Sequence, residues 1–200
     1  MGDEKSIPPQ LKLPRIIAIC GEIGAGKDTS ATYLAFNYGY KIIGLSDPVY
    51  EAVYRLNPAI VIGHHRAVYL QTLVDKDGWD ATKRMYPAVR QMLRTQGTEN
   101  GRNVHGPYCW INIAKSRMAE SGHPLWVIRD LRFPDEAEWI KSEGGVIWRI
   151  EGRTSPEVAS LPAHVSESHK NQFASDRIIQ NDGELPTLYR RINEIMKGYL

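Results

Sequence analysis

Nine consecutive residues, Gly21-Glu22-Ile23-Gly24-Ala25-Gly26-Lys27-Asp28-Thr29, have the types and spacing needed to hold phosphate, in the pattern G-x-x-x-x-G-K. Glycine lets the backbone turn through conformations closed to other residues, so that N–H groups can face an anion. Lys27 brings a positive charge to the β- and γ-phosphates of a nucleotide. A helix starting there adds the positive end of its dipole. Asp28 stands where Ser or Thr would offer a hydroxyl to Mg²⁺. The run therefore reads as a nucleotide-phosphate loop of an unusual branch, against the plainer alternative of a Gly-rich turn between strand and helix. We expect Asp28 to help hold Mg²⁺, directly or through water, with Thr29 sharing the task. The alternative is simple service at a helix N-terminus.

A second cluster, Val127-Ile128-Arg129-Asp130-Leu131-Arg132-Phe133-Pro134-Asp135-Glu136, passes from apolar to charged. An apolar strand ending in Asp130 would set a carboxylate at the carboxyl edge of a sheet, where Mg²⁺ is supported in phosphate-loop enzymes. Arg132 carries the planar guanidinium that suits a transferring phosphoryl group or an acceptor phosphate. Alternatively, Asp130 caps a helix and Arg132 lies on the surface. In a third cluster, Arg90 and Arg94 are four residues apart and share a helix face, while Arg102 follows the break at Gly101. Several arginines aimed at one place suit an anionic acceptor. A solvated basic face is the equal alternative.

These groups need elements to position them. Arg15 to Cys20 reads as a strand buried on both faces, and Thr29 to Tyr38 carries Leu34, Ala35 and Tyr38 at helical spacing. Lys41 to Leu45 is a second short apolar run. Asp47, as N-cap, and Pro48 open a helix. From about Tyr50 to Ser121 the chain reads as mostly helical, broken near Asn57-Pro58, Gly63 and Gly101 to Pro107. Leu125–Ile128 and Val146–Ile150 read as strands, with a helix from Pro134 through Lys141. A last strand ends at Ile178-Ile179, and a final helix runs from Glu184 to Lys197. Alternating strands and helices predict an α/β fold, a parallel sheet with helices on both faces and its ligand site at the strands' carboxyl ends. The stretch 47–121 is too long for a simple crossover and is expected to form an acceptor-binding cap. The polar segment 152–171 is expected to be a loop or lid.

The 200 residues suit one domain, 15–200, behind a flexible polar lead-in, 1–14. With 24% charged and 42% hydrophobic residues and a net charge of +2, nothing demands a nucleic-acid partner. No apolar run approaches a membrane span, and the start lacks the apolar core of a signal peptide. Two cysteines, Cys20 and Cys109, do not make a disulfide framework and fit a reducing cytoplasm. His64-His65 has no third ligand at metal spacing and reads as loop. Trp79, Trp110, Trp126, Trp139 and Trp148 read as core or rim packing.

Taken together the clusters resemble the phage-type deoxynucleoside monophosphate kinases, a branch of the P-loop nucleoside monophosphate kinases. The matching pieces, in order, are Gly26-Lys27-Asp28-Thr29, Ser46-Asp47-Pro48, Gly97-Thr98-Glu99-Asn100-Gly101-Arg102 with Trp110 downstream, Asp130-Leu131-Arg132-Phe133-Pro134-Asp135-Glu136, His164-Val165-Ser166-Glu167 and Asn181-Asp182-Gly183. They span about residues 15 to 197. Leu131 and Asp135 stand where Val and Asn are common, and Asn100 where Val is common.

The resemblance implies the three-layer kinase fold and the reaction of ATP with a deoxynucleoside monophosphate, Mg²⁺ assisting. By position it implies that Gly21, Gly24, Ala25, Gly26, Lys27, Asp28 and Thr29 hold the ATP phosphates, with Arg153 in the lid and Asn181 flanking adenine. Asp47, Arg90, Arg94, Arg102, Trp110 and Glu167 would serve the acceptor, Asp130 the metal with Asp28, and Arg132 the phosphoryl groups. It is compatible with a homodimer, and with host cytoplasm for a phage-encoded protein. The alternative is a P-loop kinase for another phosphorylated acceptor, such as dephospho-coenzyme A or phosphomevalonate. A regulatory GTPase lacks its Asn-Lys-x-Asp and Asp-x-x-Gly motifs here, and a nucleic-acid-binding or purely structural role ranks lower still.

Overall fold

The strand β1, Ile16–Gly21, is buried along all six residues. Its side chains alternate between two faces, so burial throughout requires cover on both. The computed structural model, which describes residues 13–63, 66–152 and 172–200, supplies that cover. On one face Ile17 and Ile19 join a cluster with Trp148, Ile179, Leu34 of helix α1 (Lys27–Tyr38), and Leu188, Ile192 and Met196 of the C-terminal helix. On the other, Ile16 packs beside Gly145 and Ile140.

Five strands form the sheet, in the order β2-β5-β1-β6-β7 and parallel throughout. They are β1, β2 (Lys41–Ile43), β5 (Trp126–Ile128), β6 (Val146–Gly152) and β7 (Arg177–Asn181). Two edge strands show their position in their burial: β2 exposes Lys41 and Ile42, and β7 exposes Arg177 and Ile178. Helix α7 (Pro134–Ser142) follows β5, and α8 (Leu185–Lys197) follows β7. The sheet, α1, α7 and α8 make one compact unit, built from the described residues up to Ile43 and from His123 to Leu200.

Residues Gly44–Gly122 form a second compact unit. It contains α2 (Asp47–Leu56), the strands β3 (Ala59–Gly63) and β4 (Arg66–Tyr69), α3 (Leu70–Met85), α4 (Pro87–Gly97), a π-helical turn (Thr98–Arg102), α5 (Asn103–His105) and α6 (Cys109–Ser121). Helix α3 is broken at Gly78, whose φ of 74° lies outside the helical region. The unit has its own core of Val49, Val53, Ile60, Leu70, Leu73, Val89 and Leu93. Trp79 and Trp110 pack against it, while Trp126, Trp139 and Trp148 are buried in the first unit.

Three local expectations are corrected. The stretch expected to be mostly helical contains the antiparallel β3–β4 pair, in which Ile60 pairs with Val68 and Val61 with Ala67. Its β-branched residues prefer extended backbone, and runs this short carry too few residues to show a strand period within a helical background. The break expected from Gly101 to Pro107 is confined to residues 106–108, with Gly106 at φ 90°, because the chain passes through Gly101 as a π-helical turn. Asp47 is not the N-cap of α2 but its first residue; Ser46 is the cap, and the Asp47 carboxylate accepts the Gly44 N–H at 2.7 Å.

Among the described residues no helix is long and apolar enough to cross a membrane. The lead-in up to residue 12, His64-His65, and the lid segment from Arg153 through His164, Ser166 and Glu167 to residue 171 lie outside the described residues.

Candidate functional site

β1 runs directly into the phosphate-type loop. Gly21, Gly24 and Gly26 take φ values of 145°, 81° and 102°. Alternating positive φ curls the backbone into a concave turn, the form that collects N–H dipoles around an anion. Gly26 is the N-cap of α1, so the helix begins at Lys27. Two features favour glycine at the cap. Its φ favours glycine, and a Cβ there would stand 2.5 Å from Asn181 Nδ2. A Cβ on Gly24 would meet nothing within 4 Å, so that side of the loop is open.

The Lys27 ammonium donates to the carbonyls of Gly21 at 3.0 Å and Glu22 at 2.7 Å, folding back over the start of the loop. Ser30, buried one turn into the helix, donates its hydroxyl to Gly26 O at 2.9 Å and ties loop to helix. Asp28 is exposed in the first turn of α1, where the helix dipole favours a negative charge, and it does not cap the helix. Thr29 beside it is half-buried.

On one side of β1 the register with β5 pairs Ala18 with Ile128, and the Leu131 N–H donates to Ile19 O at 3.1 Å. Leu131 is buried, and the half-buried Asp130 and Arg132 flank it at the sheet edge where β1 leaves for the loop. The turn into α7 is then held by a residue that sequence reasoning did not single out. Glu136, itself buried, accepts the backbone N–H groups of Arg132 at 2.8 Å and Phe133 at 3.0 Å through one carboxylate oxygen. Its signal was half of a capping box: Glu at the third helical position, with Pro134 opening the helix and no Ser or Thr before it.

On the other side β6 and β7 end together, Gly152 in register with Asn181. Asn181 Nδ2 donates to Ala25 O at 2.8 Å. Gly152 approaches just as closely, since a Cβ on it would lie 2.9 Å from the same carbonyl. The loop is therefore braced from the β6–β7 flank, while the β5 side is tied to β1 itself at Ile19.

The residues present fit a nucleotide's phosphates, because the glycine cradle has an open side and a lysine across its start. For a divalent cation the candidates in this unit are Asp28 and Asp130. Among the described residues no group of three or more His, Cys, Asp or Glu could enclose a metal. Two carboxylates suit an ion such as Mg²⁺, which keeps waters and takes the rest of its ligands from substrate phosphates.

In the second unit, Arg90 and Arg94 lie one turn apart on α4, both half-buried. Arg102 ends the π-helical turn and donates to Pro107 O at 2.8 Å. Trp110 spends its indole N–H on Gly97 O at 2.8 Å, and its ring lies so close to Gly101 that a Cβ there would overlap it. Such π-turns cluster at functional sites, and here the indole anchors one between α4 and α5. Near Asp47, Arg117 makes a two-pronged pair with Glu51 at 2.8 and 2.7 Å, and these hydrogen bonds hold the Glu51 carboxyl below its ordinary value.

No family model matches the chain. A protein of Acanthamoeba polyphaga mimivirus provisionally named deoxynucleotide monophosphate kinase is 26% identical over 195 residues, covering 88% of this chain and 93% of its own length. The deoxynucleoside-5'-monophosphate kinase of Escherichia phage T5 is 30% identical over 94 residues, 47% of this chain and 32% of the T5 protein. Among solved structures, a gluconokinase from Sinorhizobium meliloti 1021 covers 94% of this chain and 93% of its own at 14% identity and a TM-score of 0.48. The fold rests on the strand order and the loop rather than on that superposition. The chain joins a parallel sheet to a phosphate-type loop, and it is similar along nearly its whole length to a viral protein that bears the deoxynucleotide monophosphate kinase name.

Proposed function

We propose that the protein transfers the γ-phosphoryl group of ATP to a deoxynucleoside monophosphate. A phosphate oxygen of the acceptor forms the new P–O bond, and the bond between γ-phosphorus and its bridging oxygen breaks to release ADP. The observation that carries this reading is the loop from Gly21 to Thr29. It curls beneath Lys27 at the sheet edge that also carries Asp130 and Arg132. The name of the mimivirus relative supports the acceptor class.

Transfer between two nucleotides asks little covalent chemistry of the protein. It must bring two polyanions together, align them and exclude water. Lys27 neutralises charge on the donor's phosphates, and the N-terminus of α1 stabilises them further. Arg132 meets the transferring group, and Arg90, Arg94 and Arg102, with Asp47 and Trp110, serve the acceptor. Asp28 and Asp130 would hold Mg²⁺, which would supply charge neutralisation to the donor's phosphates. No histidine is needed as general base, because the acceptor is already an oxyanion. Arg153 and Glu167 keep the roles that the resemblance implies.

The test is ADP release with ATP and Mg²⁺ across the common ribo- and deoxyribonucleoside monophosphates, with dephospho-coenzyme A and phosphomevalonate alongside. Turnover of one or more deoxynucleoside monophosphates is expected. Turnover of none removes the proposal, and turnover of dephospho-coenzyme A or phosphomevalonate alone replaces the acceptor class.

A further inference from the structure

The resemblance assigns Asn181 to the adenine base, but its side chain is engaged elsewhere. Its amide nitrogen donates to Ala25 O at 2.8 Å, joining residues 156 positions apart in sequence. The same nitrogen lies where a Cβ on Gly26 would stand, 2.5 Å away. Ala25 is buried and Asn181 half-buried, so this hydrogen bond is partly shielded from water. Asn181 is itself held in place. It ends β7 in register with Gly152, and Arg191 of α8 donates both to Gln180 O and, at 2.7 Å, to the Asp182 carboxylate. The residues on either side of Asn181 are thus tied to one guanidinium, and its amide reaches the loop from a fixed base.

We propose that Asn181 is a positioning residue for the phosphate loop, acting through Ala25 and Gly26 on the donor's phosphates rather than on its base. The inference rests on the proposed ATP site. The loop's carbonyls must point away from a bound polyanion so that its N–H groups can point toward it. A donor that holds Ala25 O outward fixes the peptide that follows, whose N–H belongs to Gly26. Without that donor the peptide is free to turn, and the anion must order it on binding.

Inorganic tripolyphosphate separates this from base recognition, since it has the phosphates and lacks the base. Binding of ATP and tripolyphosphate is measured by displacement of a fluorescent ATP analogue, for the unsubstituted protein, Asn181→Ala and Asn181→Leu, with unfolding midpoints alongside. Leucine fills much the same volume without a donor. Both variants are expected to bind tripolyphosphate about three- to tenfold more weakly, the scale of one hydrogen bond, and ATP by a similar factor. Weaker ATP with unchanged tripolyphosphate overturns the proposal in favour of a base contact. Restoration of tripolyphosphate binding by leucine overturns it in favour of space filling, and unchanged binding of both in either folded variant overturns it outright. Failure of the unsubstituted protein to bind either compound would instead remove the ATP site.

Discussion

Glu136 accepts the backbone N–H of Arg132 at 2.8 Å from a buried position at the start of α7. A buried carboxylate is tolerated only when hydrogen-bonded, and here the N–H of Phe133 on the same oxygen and the helix N-terminus both favour its charge. Glu136→Ala leaves two backbone donors to find other partners. Unfolding free energy is expected to fall by about 1–3 kcal/mol, the cost of unsatisfied buried groups. Phosphoryl transfer should fall with it, because Arg132 loses its fixed starting point. Glu136→Gln, which keeps an acceptor oxygen, should retain more of both. Chemical denaturation and ADP-release kinetics on the three proteins check this, and an alanine variant equal to wild type in both would contradict it.

Lys27 donates to two loop carbonyls and does not belong to the core. Lys27→Ala should therefore keep the fold, with circular dichroism unchanged. Phosphoryl transfer should fall by about 10²–10³, the loss typical of one electrostatic contact in the transition state. A folded variant with near-normal turnover would remove Lys27 from the proposed chemistry.

Asp28 is exposed and makes no capping bond, so Asp28→Asn should leave the unfolding midpoint nearly unchanged. If the carboxylate helps to hold Mg²⁺, the variant needs more Mg²⁺ for half-maximal rate. Titration of Mg²⁺ at saturating ATP checks this, and coincident curves would sink the metal role.

Asp176 carries a pH dependence. Burial alone would push its carboxyl up, but the Ile147 N–H and the Lys141 ammonium outweigh burial and hold it below the ordinary 3.8. A carboxyl lowered in the folded state stabilises fully above the ordinary value and loses that contribution as pH falls through the folded value. Asp176→Asn should therefore lower the unfolding midpoint at neutral pH, with a deficit that stays constant down to about pH 5 and shrinks below about pH 4. A deficit that grows in acid would reverse the sign.

Gly101 lies against the indole of Trp110 with no room for a Cβ. Gly101→Ala should destabilise by about 1–3 kcal/mol through overpacking, measured by denaturant unfolding. Trp110→Phe in the same chain should recover part of the loss, since the smaller ring withdraws the clashing atoms.

The phosphate loop was legible because its information is local. Gly21, Gly24, Gly26 and Lys27 lie within seven residues, between an apolar run and a helical period, and the structure has the strand, the positive-φ glycines and the helix in that order. The Asp130-Leu131-Arg132 segment was legible for the same reason, an apolar strand ending in charge. Glu136 was harder to find, because its half capping box follows Phe133 rather than Ser or Thr. The β3–β4 pair was missed because its nine strand residues fall in two short runs between helices. The π-helical turn has no sequence signal beyond Gly101 and Trp110, which reveal their closeness only in space.

The sequence by itself determined the loop, its lysine, the strand–loop–helix order and an alternation that requires a parallel sheet. These follow from dihedral freedom at glycine and from hydrophobic periods, both properties of neighbouring residues. Only the tertiary structure placed β5 between β1 and β2, and so set Leu131 N–H on Ile19 O beside the loop. Only it turned Asn181 toward Ala25 and set its amide where a Cβ on Gly26 would displace it. Strand register and close approach depend on which distant segments share a core, and no window along the chain contains both partners.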